Sequence, residues 1–95
     1  MATSTPWGPS QTSEQIARGI MSYTTAGHGG IHLSPGRRME MPEKFRNEPT
    51  FAGGNWYEED CDWALVAVCF PQYFSEKQVE SAKGILRHYK PHLMQ

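Results

Sequence analysis

Between positions 75 and 91 the apolar residues Val79, Ala82, Ile85, Leu86 and Tyr89 recur at intervals of three and four, and Glu76, Lys77, Glu80, Lys83 and Arg87 fill the gaps. That period puts the first set on one stripe of a helix and the second on its solvated face. Ser75 followed by Gln78 reads as a capping box at the start, and Pro91 closes the helix. Upstream, Trp63-Ala-Leu-Val-Ala-Val-Cys-Phe70 is a continuous apolar run whose periodicity suits a buried strand or a buried helix. We favour helix over Glu58 to Phe70, because Glu58, Glu59, Asp60 and Asp62 would face the positive end of its dipole and Pro71 would stop it. Trp56-Tyr57 reads as the end of a strand.

In the first half the pattern is weaker. Thr12 and Gln15 fit a second capping box, and Ile16, Ile20 and Tyr23 recur at helical spacing, so a short helix is expected over Ser13 to Ser22, weakened by Gly19. Gly27, Gly29 and Gly30 then predict a tight turn, and the alternation of Ile31 and Leu33 with His32 and Ser34 predicts a half-buried strand. Ser34-Pro35 offers a cap with proline at the first helical position, so one or two turns should cover Gly36 to Met41. Pro42 to Asn55 reads as a loop pinned by Phe45 and Phe51. The sum is an α+β domain, two or three helices packed on a small antiparallel sheet, occupying residues 12–95 behind a Ser/Thr/Pro-rich, partly mobile segment at 1–11.

Ninety-five residues suffice for one core and no more. Nine Lys and Arg against ten Asp and Glu leave a formal charge of -1, which removes the broad attraction that nucleic-acid and anionic-membrane binders use, so neither partner is expected. The eight-residue apolar run is far shorter than the ~20 residues of a membrane span, and no signal segment is visible, so a cytoplasmic protein is expected. Cys61 and Cys69 are too few for a disulfide scaffold and match no zinc spacing; no metal or cofactor is expected.

Two groups of residues are candidates for chemistry. In Gly27-His28-Gly29-Gly30-Ile31-His32 a histidine among glycines would suit proton exchange near neutral pH, and Cys61 with His28 would suit a nucleophile and its base. The plainer account of the same residues is a glycine-enabled turn with two surface histidines and a small buried thiol. The second group is Trp56, Tyr57, Glu58, Glu59, Asp60 and Asp62: four carboxylates in five positions between large rings, a pattern that suits a protein-binding epitope in which rings anchor and acids steer. Here Trp63 is expected in the core and Glu58, Glu59 and Asp62 exposed.

Thr5-Pro-Trp-Gly-Pro-Ser-Gln, Thr25-Ala-Gly-His-Gly-Gly-Ile-His-Leu-Ser and Gly54-Asn-Trp-Tyr-Glu-Glu-Asp-Cys-Asp-Trp-Ala together resemble an uncharacterised small domain family encoded by bacteriophages and plasmids. The resemblance implies no activity or catalytic residue. It does imply a setting, that of small accessory proteins used by mobile elements against host defence, anti-CRISPR proteins above all. The expectation is a non-enzymatic inhibitor that binds a host defence complex, a CRISPR effector subunit in particular, through the aromatic-acidic segment. The alternative is a small enzyme or ligand-binding module built on Gly27 to His32.

Overall fold

The computed structural model describes residues 2–95. Strands β1 (Ser4–Thr5) and β2 (Gly8–Pro9) form a hairpin, followed by β3 (Thr12–Ala17), β4 (Ile20–Thr24), β5 (Gly29–Leu33), helices α1 (Pro35–Glu40) and α2 (Glu43–Arg46), strand β6 (Trp56–Glu58), and helices α3 (Trp63–Cys69) and α4 (Glu76–Tyr89). Turns of 3₁₀ type follow α3 at Pro71–Tyr73 and α4 at Pro91–Met94. β3 to β6 make one antiparallel sheet in chain order, with β3 and β6 at its edges. The architecture is α+β, as expected. Of the segment 1–11, Met1 lies outside the described residues and the rest contains the first hairpin.

The helix expected at Ser13 to Ser22 does not form; the segment is the β3–β4 hairpin. Ile16, Ile20 and Tyr23 satisfy helical spacing, but a tight turn at Arg18-Gly19 splits the segment so that Ile20 and Tyr23 fall on opposite faces of a strand. Gly19 decides the matter. Its φ is +80°, and a Cβ there would stand 2.6 Å from Ser34 Oγ and 2.8 Å from Arg37 Cγ. The Arg37 guanidinium and the Ser34 amide clamp this turn, donating to the carbonyls of Arg18 and Gly19. The Thr12 hydroxyl bonds Thr24 across the hairpin rather than capping a helix.

The expected helix over Glu58 to Phe70 is likewise shorter. β6 runs on through Glu58, and α3 starts at Trp63. α4 agrees with the sequence reading in both bounds and cap: the Gln78 amide donates to Ser75 Oγ, and Gln78 Oε1 accepts from the Ser75 amide. Ile20, Leu33, Met41, Tyr57, Leu65, Val66 and Leu86 are fully buried, where one face of the sheet meets the helices. No helix among the described residues is long and apolar enough to cross a membrane.

The other face of the sheet is not bare. The β1–β2 hairpin carries Trp7 across it to meet Trp56 edge-on at 5.7 Å, and Tyr23 and His32 flank Trp56 at 5.7 and 4.6 Å. Gly30 makes room for this lid: a Cβ there would meet the Trp7 ring and stand 2.5 Å from the Tyr57 carbonyl oxygen.

Candidate functional site

The aromatic-acidic segment folds so that half of its acids turn inward. At the end of β6 the Glu58 carboxylate, 8% exposed, accepts from three successive backbone amides: Asp60 at 3.0 Å on Oε2, and Cys61 and Asp62 at 2.6 and 3.3 Å on Oε1. The side chain therefore shapes the turn that delivers the chain into α3. Asp62, 5% exposed, accepts from the Phe51 amide at 2.7 Å and ties the 47–55 loop to the start of α3. Burial pushes the Asp62 carboxyl above the ordinary range, and the neighbouring Glu58 charge adds to that while the Phe51 amide opposes it. Tyr57 is buried in the core at 2% exposure. Glu58, Asp62 and Tyr57 thus depart from the exposed epitope read from the sequence: Glu58 supplies the acceptors for the turn that follows β6, Asp62 the acceptor for the Phe51 amide, and Tyr57 alternates with Trp56 and Glu58 onto the core face of the strand, paired with Ile31.

Glu59 and Asp60 remain exposed, and Trp63, expected in the core, is half-buried. Glu59 and Trp63 border a groove of about 710 Å³ between the helix-side face of the sheet and the N-terminal turns of α4. Ile16, Ile31 and Phe74 supply its apolar lining, and Lys77, Gln78 and Ser81 its polar α4 rim. Sequence reasoning missed this groove because the helix drawn through Ser13 to Ser22 hid the strand position of Ile16. Trp56 belongs to the opposite face, half-buried among Trp7, Tyr23 and His32. The signal that could have found Trp7 is the Gly29-Gly30 pair, since consecutive glycines inside a strand mark a close approach.

The histidine-glycine segment resolves into two parts. Thr25 to His28 is the β4–β5 turn, closed by the Thr25 amide and hydroxyl donating to the His28 carbonyl, both at 2.7 Å, with the His28 ring exposed. Gly29 and Gly30, expected in the turn, already belong to strand β5, where Ile31 and His32 follow as the alternation predicts. There the Gly29 carbonyl accepts from the Glu59 amide at 3.0 Å, and burial lowers the His32 pKa beneath the Trp56 ring. No side-chain hydrogen bond among the described residues joins His28, His32 or Cys61 to another of the three. The Cys61 thiol is pushed up by burial first, and then by the charges of Glu58, Asp62 and Asp60. Such a setting disfavours the thiolate that a nucleophile requires. Cys69 is pushed up to about 12 by burial. No three His, Cys, Asp or Glu side chains among the described residues stand together as a metal site.

The geometry thus offers a groove with an acidic corner rather than an assembled nucleophile and base. No curated protein and no solved structure is detectably similar to the chain. The profile of one family, a domain of unknown function (DUF7007), matches residues 1–95, and the chain belongs to that family.

Proposed function

We propose that this domain acts by holding another protein, and that the partner belongs to a host defence complex, a CRISPR effector in particular, which it inhibits. The observation that carries the protein-binding part is the meeting of the exposed Glu59 with the groove. Glu59 borders a concavity lined by rings and aliphatic side chains, with exposed Asp60 next to it in the chain, an arrangement of apolar floor and polar rim that suits a protein contact. The raised Cys61 thiol and the absence of a hydrogen-bonded base weigh on the same side. The finer part, a mobile-element inhibitor, is supported by the motif resemblance of Thr5 to Gln11, Thr25 to Ser34 and Gly54 to Ala64.

The test is inhibition of target cleavage by reconstituted CRISPR effectors of different types, with the domain added in stoichiometric amounts. At least one effector should be blocked, and Glu59→Lys with Asp60→Lys should abolish the block while the melting temperature stays within a degree or two. No inhibition of any effector would remove the finer reading. Inhibition untouched by the double reversal would remove the acidic corner as its site.

A further inference from the structure

A separate feature of the same side of the molecule specifies what a partner would present. β3 is an outer strand of the sheet, so alternate N–H and C=O groups of Thr12 to Gln15 point away from β4 with no strand to receive them, and these four residues are exposed. Natural edges are usually guarded by proline, lysine or a bulge. Here the register shift falls between Gln15 and Ala17, beyond the exposed stretch, and Thr12 to Gln15 contains neither proline nor lysine. The β1–β2 hairpin does not guard the edge either, since Trp7 is folded over Gly30 on the far face. Beside the edge lies a second concavity of about 350 Å³, lined by Glu14, Ile16, Ser22, Tyr73 and Phe74 among others and continuous with the larger groove through Ile16 and Phe74. Glu14 is the one charge on β3 and makes no ion pair among the described residues.

We propose that β3 receives an extended segment of a partner protein as a fifth, antiparallel strand, with a basic residue opposite Glu14 and an apolar residue opposite Ile16, over the concavity that Phe74 helps to line. Backbone pairing supplies the attachment and the alternate side chains supply the choice of segment. The inference rests on the protein-binding reading above. A second copy of this chain fits worse. Two identical antiparallel strands in one sheet are related by a two-fold axis normal to it, so residues of equal parity oppose one another. Centring on Glu14 sets two carboxylates face to face, centring on Gln15 sets the Glu14 carboxylate opposite apolar Ile16, and centring on Ser13 sets Ile16 opposite Ser10, outside β3.

The probe is a capped heptapeptide, Thr-Thr-Val-Thr-Lys-Thr-Thr, titrated into the whole chain and followed by amide chemical shifts. The shifts should concentrate at Thr12 to Ala17. Replacing the peptide lysine by glutamate should weaken binding by about threefold, the size of an exposed cross-strand charge pair. Glu14→Lys in the protein should reverse that preference. N-methylation of alternate peptide residues should abolish the response in one of the two phases and spare it in the other, which tests backbone pairing without altering the protein. Absence of shifts at β3 up to several millimolar, a preference indifferent to Glu14→Lys, or a concentration-dependent dimer moving the same amides would each overturn the inference. A silent β3 alongside inhibition lost on reversing Glu59 and Asp60 sinks the strand and leaves the protein-binding reading standing. Peptide binding at β3 without inhibition of any effector does the converse for the named target.

Discussion

Replacing Glu58 by alanine should cost far more than replacing its neighbour Glu59, although both stand in the same acidic run. Glu58 satisfies three backbone amides of the turn into α3, and the Asp62 amide has no other acceptor among the hydrogen bonds of the described residues. A hydrogen bond to a charged acceptor contributes about 1.5–3 kcal/mol, and an orphaned buried donor costs a similar amount. The three do not add in full. The Asp60 amide sits at an exposed position that water reaches on truncation, and the 3.3 Å bond to Asp62 is the weakest. A loss of about 2–4 kcal/mol is therefore expected, out of a total stability of order 5–15 kcal/mol. For a domain of this size that lowers the melting temperature by roughly 10–25 °C. Glu58→Gln should fall between: its amide oxygen can keep the Cys61 and Asp62 bonds, but its NH2 then faces the Asp60 N–H, donor against donor. Glu59→Ala, exposed, should change stability by no more than about 0.5 kcal/mol. Calorimetric melts of the three variants decide the matter. If Glu58→Ala and Glu59→Ala melt together, the carboxylate does not hold the turn, and the inward assignment of Glu58 is wrong.

Gly30→Ala should destabilise the sheet, and Trp7→Ala should rescue it only in part, because the added Cβ meets the Tyr57 carbonyl as well as the Trp7 ring; melts of the single and double variants measure this. Asp62→Asn should leave the domain at least as stable at neutral pH, since the amide oxygen can still accept from Phe51 while burial of a charge is relieved. The sign follows from a folded pKa raised above the unfolded 3.8: the wild-type carboxyl costs stability as pH rises past 3.8, so the variant's advantage grows there and levels off above the folded value, as denaturant titrations across pH should record. Glu48 behaves oppositely. Burial pulls its pKa up, but hydrogen bonds from His92 at 2.9 Å and Lys90 at 2.8 Å prevail and hold it below 4.5. Its contribution is present above 4.5 and lost as pH falls through the lowered value, so Glu48→Gln should be less stable than wild type at pH 6 and converge with it in acid.

How much of this was legible in the chain depended on whether a residue's structural task was local. The α4 cap, stripe and stop are all satisfied within a few residues, and Ser75, Gln78 and Pro91 announced them. The Ser13 to Ser22 segment failed for the opposite reason: the φ of Gly19 answers to Ser34 and Arg37, fifteen and eighteen residues away, and no window centred on Ile16 contains them. The candidate site divides along the same line. Rings and acids between Trp56 and Trp63 were visible as composition, but composition does not say which carboxylates the backbone will claim. Glu58 is claimed because β6 ends there and the chain must turn at once, leaving amides that only a nearby acceptor can reach. Glu59, one residue on, places its own amide on the Gly29 carbonyl and its side chain at the groove. The acidic run ahead of α3 is thus two populations, one bound to backbone amides and one exposed. Substitutions that treat the run as a single epitope would lose binding through lost folding, so a test of the site has to reverse Glu59 and Asp60 while leaving Glu58 and Asp62 in place.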